Sequence, residues 1–366
     1  MKSKIIGFGS FGYIFSPCLI FNENLNINKD EYITKLLYHE DAEDELNFIK
    51  LINKIDISCN YHLGKYYKTK LIKDIHKNII DDYNLFHFKK FKMNINDLTP
   101  IIMKNGGRNL NHYAKKFKLY TKNNIDIIYS FLIEYYKLLE GIKLFNDNNI
   151  VLHDIKPANI LYDINKNKLV FIDFSLTNTK NNIINLSKDS NYDLSIHHSS
   201  FPFELNYYNY DKYSNLKMGS NLDIDVLCLR LDLGLNKNIK ITNMDKKLLD
   251  SFNSLSNYYY NAKEHNKNDI INNMLIKFKF LLLDLKKIKY DEFIFKSLNT
   301  LDSYSYGITL IFILNHIEHI IPNELSIVLM DLAIKLSFID LNNRLSIEEG
   351  LEKFKDILIK YIGYEV

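Results

Sequence analysis

Residues 153–174 are the most informative stretch of this chain: His-Asp-Ile-Lys-Pro-Ala-Asn-Ile-Leu-Tyr-Asp-Ile-Asn-Lys-Asn-Lys-Leu-Val-Phe-Ile-Asp-Phe. Two short apolar runs, at 160–162 and 169–172, flank the polar run 163–168, and this pattern predicts the two strands of a β-hairpin. Such a hairpin would bring the polar residues that precede and follow it together at one end.

Four of these polar residues suit phosphoryl transfer. Asp154, Asn159 and Asp173 supply two carboxylates and an amide oxygen, and Mg²⁺ prefers such oxygen ligands together with water and substrate phosphates. Lys156 follows Asp154 by two residues, and its charge could neutralise a phosphoryl group in transfer. An ordinary Asp-rich turn beside a buried hairpin is the alternative interpretation.

The same residues resemble the catalytic loop, H-R-D-x-x-x-x-N, and the metal-binding motif, D-F-G, of the eukaryotic-type protein kinases. The matches are Asp154, Asn159 and Asp173-Phe174. The resemblance implies that Asp154 orients a substrate hydroxyl and accepts its proton, while Asn159 and Asp173 hold Mg²⁺. Lys156 stands where Ser/Thr kinases rather than tyrosine kinases carry a lysine.

A glycine-rich segment lies near the start of the chain. Residues 5–15, Ile-Ile-Gly-Phe-Gly-Ser-Phe-Gly-Tyr-Ile-Phe, match G-x-G-x-x-G-x-V, and their flanks alternate like strands, which favours a hairpin over a Rossmann turn. The resemblance implies that this hairpin covers the phosphates of ATP, with the contacts made by Gly7, Phe8, Gly9, Ser10, Phe11, Gly12 and Ile14. A plain tight hairpin is the alternative.

A lysine and a glutamate are the next candidates. The strand-like run 31–37 resembles the kinase strand whose lysine contacts the α and β phosphates, and Lys35 is the candidate, although Ile33 stands where the family has a small residue. Residues 41–52 show acidic residues early and apolar residues at helical spacing, which predicts an amphipathic helix. Glu45 is the predicted partner of Lys35, with Glu43 as the alternative.

Residues 100–107 read as a buried strand that runs into a glycine-marked break, where kinases join their two lobes. The resemblance implies that adenine bonds the main chain around Lys104 and Gly106. Met103 would lie behind the adenine and Leu161 beneath it.

Three further residues have structural roles in the resemblance. Phe201-Pro202-Phe203-Glu204 is similar to the A-P-E motif, whose glutamate pairs with a buried arginine, and Arg344 matches that partner. Asp302 matches the aspartate that opens the central helix of the family and caps backbone near the catalytic loop. A simple helix N-cap is the alternative for Asp302.

The resemblance therefore implies an α+β, two-lobed protein-kinase-like fold. We predict a single domain over 1–366, with a small, mainly β amino-terminal lobe at 1–104 and a larger, mainly α carboxy-terminal lobe at 105–366. A long insertion at about 205–298 has no counterpart in the family and shows apolar helical patterns at 245–260 and 268–288. It either changes substrate recognition or only decorates the surface.

Composition limits the class of protein. Hydrophobic residues make up 46% and charged residues 25% of the chain, which is typical of a globular protein, and a net charge of +3 gives no indication of nucleic-acid binding. The three separated cysteines, the absence of a secretory signal and the short apolar runs predict a soluble intracellular protein without a membrane segment. Abundant Asn, Ile, Lys and Tyr indicate an AT-rich genome, such as that of a giant DNA virus or a protist. A viral protein would act in the host cytoplasm or the virion.

We therefore predict an ATP- and Mg²⁺-dependent protein serine/threonine kinase that acts on a protein substrate, and its oligomeric state stays open. Two alternatives remain: a pseudokinase that binds nucleotide, and a small-molecule phosphotransferase of the same fold. His153 replaces the arginine of H-R-D, and Ser175 replaces the glycine of D-F-G. Because that arginine normally anchors a phosphorylated activation loop, we expect activity without phosphorylation between Asp173 and Glu204.

Overall fold

The computed structural model describes residues 3–9, 12–19, 27–69, 97–192, 200–237, 243–260 and 267–364. The chain divides into two compact units, Met1–Gly107 with Val170–Ser175, and Arg108–Leu169 with Leu176–Val366. The fold is mixed α+β, as predicted, with a small amino-terminal sheet and a mainly helical carboxy-terminal part. The first unit ends three residues beyond the predicted boundary at 104, and it also includes the segment that carries Asp173.

The first unit is built on an antiparallel sheet. Within the described residues its strands are β1 (Lys4–Gly9), β2 (Gly12–Ser16), β3 (Tyr32–Tyr38), β4 (Tyr67–Lys68) and β5 (Leu98–Lys104), in the order β1-β2-β3-β5-β4. Helix α1 (His39–Ile55) packs on β3 and β5. The negative charges of Glu40 and Asp41 in its first turn stabilise the helix by opposing the positive end of its dipole. The apolar residues of α1 recur at helical spacing on its buried face.

The second unit is mainly helical. Its short strands are β6 (Arg108–Asn109), β7 (Ile150–Val151), β8 (Ile160–Asp163), β9 (Lys168–Phe171) and β10 (Asn178–Thr179), and the boundary between the units falls within β9. Its helices are α2 (Leu110–Phe117), α3 (Ile125–Asp147), α4 (Lys180–Leu186), α5 (Tyr210–Met218), α6 (Asn221–Lys237), α7 (Asn243–Tyr260), α8 (Lys267–Leu285), α9 (Tyr290–Ile317), α10 (Asn323–Leu336) and α11 (Ile347–Ile362). The strands predicted at 160–162 and 169–172 correspond to β8 and β9.

Helices α3 and α9 meet at the centre of the second unit. The rings of Tyr135 and Tyr306 stack with their centroids 4.5 Å apart. Each hydroxyl donates a hydrogen bond to the main-chain oxygen of the other tyrosine, at 3.0 and 2.8 Å. The buried phenols are thus satisfied inside the core.

The predicted end of the insertion, near 298, falls within a helix. Residue 298 lies inside the continuous helix α9, which begins at Tyr290. The helices predicted at 245–260 and 268–288 are present as α7 and α8. Phe252 of α7 and Phe278 of α8 contact the ring of Phe203, at centroid distances of 4.3 and 5.5 Å. Helices α7 and α8 therefore pack on the segment that carries Glu204.

Some predictions fall outside the described residues, namely those for Ser10 and Phe11 at the tip of the glycine-rich hairpin. For Phe8 and Gly9 only the backbone is described. Within the described ranges no helix is long and apolar enough to cross a membrane.

Candidate functional site

A buried lysine with two acidic partners forms the main cluster of the first unit. Lys35, in the middle of β3, places Nζ 2.7 Å from Oε2 of Glu45 in α1 and 3.0 Å from Oδ1 of Asp173. Lys35 is 9% exposed and Glu45 is 1% exposed. The predicted ion pair between Lys35 and Glu45 is present, and Asp173 joins it from 138 residues away in sequence.

The electrostatics of this cluster follow from its burial. Burial lowers the pKa of Lys35, but the carboxylates of Glu45 and Asp173 raise it by more, so the ammonium stays charged. Burial raises the pKa of Glu45, and the charge of Lys35 opposes that rise. The result is one fixed ammonium that lies between two carboxyl groups.

Glu43, the alternative partner for Lys35, lies elsewhere. It forms a surface ion pair with Lys68 of β4, and both side chains are about half exposed. Helix periodicity explains the difference, because residues two positions apart on α1 point to nearly opposite faces. Glu45 is therefore the one that faces β3.

The segment that carries Asp173 is anchored to the first unit by its backbone. The amide of Phe171 donates to the main-chain oxygen of Tyr61 at 2.8 Å. Asp173 has a φ of 62°, in the left-handed region that few residues other than Gly, Asn and Asp adopt. This conformation turns the backbone directly after β9.

The glycine-rich hairpin is present as β1 and β2. Its strands pair from Lys4 opposite Ser16 to Gly9 opposite Gly12. A Cβ atom on Gly12 would lie 1.7 Å from the main-chain oxygen of Leu36, so only glycine fits this close approach of two strands. At Gly7 a Cβ atom would meet only the side chain of Ile14, at an ordinary 3.6 Å.

The residues predicted to contact adenine occupy a strand and its end. Met103 is buried in β5 and pairs in register with Ile33, and Lys104 is the exposed last residue of the strand. Gly106 follows the strand outside regular secondary structure, and Gly107 ends the first unit with a φ of 95°. Leu161 belongs to the second unit, where it is buried in β8.

A second cluster lies in the second unit, around Asp154. Its Oδ2 accepts hydrogen bonds from Nζ of Lys156 and from Nδ2 of Asn159, both at 2.8 Å. Nδ2 of Asn159 also donates to the main-chain oxygen of Asp154 at 3.1 Å. Oδ1 of Asp154 is buried and has no hydrogen-bond partner within the described part of the chain. One carboxylate oxygen is thus fixed by two donors while the other remains available to accept a proton.

The orientation of Asn159 bears on metal binding. Because its amide nitrogen donates to two oxygens of Asp154, its amide oxygen is the atom left to bind a cation. Among the described residues no group of three or more His, Cys, Asp and Glu could hold a metal ion. An amide oxygen is a ligand of the kind that Mg²⁺ prefers.

Asp302 anchors the backbone that leads into Asp154. Its two carboxylate oxygens accept hydrogen bonds from the amides of Leu152 and His153, both at 2.8 Å. The predicted capping of this backbone is therefore confirmed. The prediction that Asp302 opens its helix is wrong, because α9 begins twelve residues earlier and Asp302 lies in its buried middle.

His153 is buried beside this anchor. It is 1% exposed, has a φ of 71°, and contacts the ring of Phe201 edge-on at 5.2 Å. Burial lowers the pKa of His153 to about 4, so the ring is neutral at pH 7. Burial also raises the pKa of Asp302 to about 6, and the two backbone hydrogen bonds limit that rise.

Glu204 and Arg344 form the predicted buried pair. Nη1 and Nη2 of Arg344 lie 2.6 and 3.1 Å from Oε1 and Oε2 of Glu204, and both side chains are fully buried. Oε1 also accepts from the hydroxyl of Ser297 at 3.1 Å. The bidentate geometry matches the planar guanidinium and identifies a structural clamp.

Tyr66, directly before β4, is a residue of the first cluster that sequence reasoning missed. It is 9% exposed, and the charges of Glu45 and Asp173 act on its hydroxyl. The surrounding segment is rich in lysine and short of apolar alternation, so it could not be assigned to a strand. The signal available was the pair Tyr66-Tyr67 next to Gly64, which suggests a short strand after a turn.

Comparison with protein-family models finds no match for this chain, and no curated protein matches it either.

Proposed function

We propose that this chain is an ATP-dependent protein serine/threonine kinase with a two-lobed protein-kinase-like fold. The observation that carries the proposal is the Lys35–Glu45–Asp173 cluster, which joins three residues chosen from three separate sequence motifs. A surface lysine or a helix-start acid would have no reason to meet the aspartate of an Asp-Phe motif in a partly buried ion pair.

In this proposal the first unit binds the nucleotide. Lys35 contacts the α and β phosphates, and Glu45 holds its ammonium in place. The hairpin from Gly7 to Gly12 covers the phosphates, and the main chain from Met103 to Gly106 bonds adenine. The buried, charged Lys35 supports this assignment, because a phosphate would find there a cation already desolvated.

Asn159 and Asp173 would hold Mg²⁺, which supplies charge neutralisation to the transferred phosphoryl group. Asp154 accepts the proton of the substrate hydroxyl. Its fixed Oδ2 and unpartnered Oδ1 support that role, since a general base must be oriented and must keep an accepting atom. Lys156 screens the negative charge of the phosphoryl group near this carboxylate.

A phosphotransfer assay tests the proposal. Purified protein is incubated with radiolabelled ATP, Mg²⁺ and mixed protein substrates, beside Asp154→Asn and Asp173→Asn variants. We expect phosphate on Ser or Thr of a protein. Asp154→Asn should lose roughly 10²–10⁴-fold in kcat, as removal of a general base does.

Other outcomes select other functions. Nucleotide binding without turnover in any acceptor would identify a pseudokinase. Transfer to sugars or amines but not to proteins would identify a small-molecule phosphotransferase. Equal activity in wild type and in both Asp variants would refute the assignment of these residues.

A further inference from the structure

Two of the buried polar atoms that lack a hydrogen-bond partner among the described residues of the first unit belong to residues of the Lys35 cluster. They are Oε1 of Glu45 and the hydroxyl of Tyr66. Glu45 uses its other oxygen, Oε2, for Lys35. Native proteins seldom leave buried polar atoms unsatisfied, and two of them near one ion pair require an explanation.

The two atoms belong to elements that face one another. Tyr66 directly precedes β4, and because side chains alternate along an extended chain, it is expected on the same side as Lys68. Lys68 pairs with Glu43 of α1, which shows that this side looks toward α1. Tyr66 therefore also points toward α1, the helix that carries Glu45.

The hydroxyl of Tyr66 is a permanent donor in this environment. Burial, together with the charges of Glu45 and Asp173, raises the pKa of Tyr66 well above its ordinary value. The other charged groups that act on Glu45 are Lys35, Asp173 and Asp41. Oε1 of Glu45 has no hydrogen-bond partner within the described ranges, and Tyr66 is a neutral donor on whose hydroxyl the charge of Glu45 acts.

We propose that one buried water molecule accepts a hydrogen bond from Tyr66 and donates one to Oε1 of Glu45. Tyr66 is then a positioning residue for the Lys35–Glu45 ion pair. A buried water with polar partners on two sides is a common way to satisfy such atoms. With Lys35 on one oxygen and the water on the other, the carboxylate can no longer rotate.

The structural part of this inference stands without any enzymatic activity, and its kinetic part rests on the proposed kinase function. If Lys35 binds ATP phosphates, a loosened Glu45 should weaken nucleotide binding in ground and transition states alike. KM for ATP should then rise while kcat changes little.

The experiment compares Tyr66→Phe with Tyr67→Phe in the full chain. Both changes remove one hydroxyl and keep the ring, and Tyr67 is the neighbouring residue on the opposite side of the strand. High-resolution crystal structures should show a water within hydrogen-bonding distance of both atoms in the wild type and in Tyr67→Phe, and none in Tyr66→Phe. Tyr66→Phe should raise KM for ATP about tenfold, and Tyr67→Phe should leave it unchanged.

A second comparison, in a Glu45→Met background, distinguishes a role of the Tyr66 hydroxyl in positioning Glu45 from a general role in packing. Without the carboxylate, Tyr66→Phe should change neither KM nor the urea midpoint any further. An equal effect of Tyr66→Phe in both backgrounds, or a wild-type structure with no such water, would overturn the inference. A different outcome would overturn only the kinase proposal: the wild type holds the water, and Tyr66→Phe lowers the urea midpoint only when Glu45 is present, but the protein transfers no phosphate.

Discussion

The Glu204–Arg344 clamp allows a quantitative prediction for the second unit. The perturbations are Arg344→Met, Glu204→Leu and the double variant. Both side chains are fully buried and joined by two hydrogen bonds of 2.6 and 3.1 Å, so each single change leaves one charge buried without its main partner. Breaking such a pair typically costs about 3–5 kcal/mol.

The remaining partners predict which single change costs more. Without Arg344, the carboxylate of Glu204 keeps only the hydroxyl of Ser297 among the described residues. Without Glu204, the guanidinium still donates to the main-chain oxygen of Phe338 and to Thr300, and lies 4.8 Å from the centre of the Tyr304 ring. We therefore expect Arg344→Met to lower the free energy of unfolding by an amount near the upper end of that range, and Glu204→Leu by an amount near the lower end.

The double variant should cost less than the sum of the two single changes, because two apolar side chains leave no uncompensated charge. Urea unfolding followed by far-UV circular dichroism measures this, since the chain has no tryptophan to report by fluorescence. At a slope of about 2 kcal/mol per molar urea, a loss of 4 kcal/mol lowers the midpoint by about 2 M. A cost below about 1 kcal/mol for either single change, or strict additivity in the double variant, would refute the clamp.

Three further predictions concern the site. Lys35→Met should lower kcat/KM for ATP by roughly 100-fold or more, because it removes the buried cation held by Glu45, and steady-state kinetics beside a surface Lys68→Met control would show it. The low pKa of His153, about 4 against 6.5 in an unfolded chain, contributes stability above pH 6.5 that is lost as the pH falls through 4. Asparagine tolerates the positive φ and does not titrate in this range. As the pH falls from 7 to 4, the free energy of unfolding of His153→Asn should therefore rise by roughly 3 kcal/mol relative to that of the wild type. Parallel pH profiles of urea unfolding for the two proteins would contradict this. Finally, phosphatase treatment should leave turnover unchanged, because the neutral, buried His153 offers no cation to a phosphorylated loop; loss of turnover with recovery on rephosphorylation would disprove it.

The sequence by itself determined the features that depend on neighbours along the chain. The strands before and after the turn at 163–168 and the helices α1, α7 and α8 all follow from local hydrophobic periodicity, which is set by backbone geometry. The pairing of Glu204 with Arg344 was also predictable from sequence. Each residue lies in a motif that implies the other, and Arg344 is one of only three arginines in the chain.

Tertiary structure alone decided the features that depend on distant segments. That Glu45 rather than Glu43 meets Lys35 depends on which face of α1 lies on β3. The position of Asp302 in the middle of α9 depends on helix length, which packing sets more than propensity does. Tyr66 belongs to its cluster only because β4 passes beside α1, and no local pattern records such a long-range approach. Burial and charge act between residues that are close in space, and that closeness is fixed only when the whole core has formed.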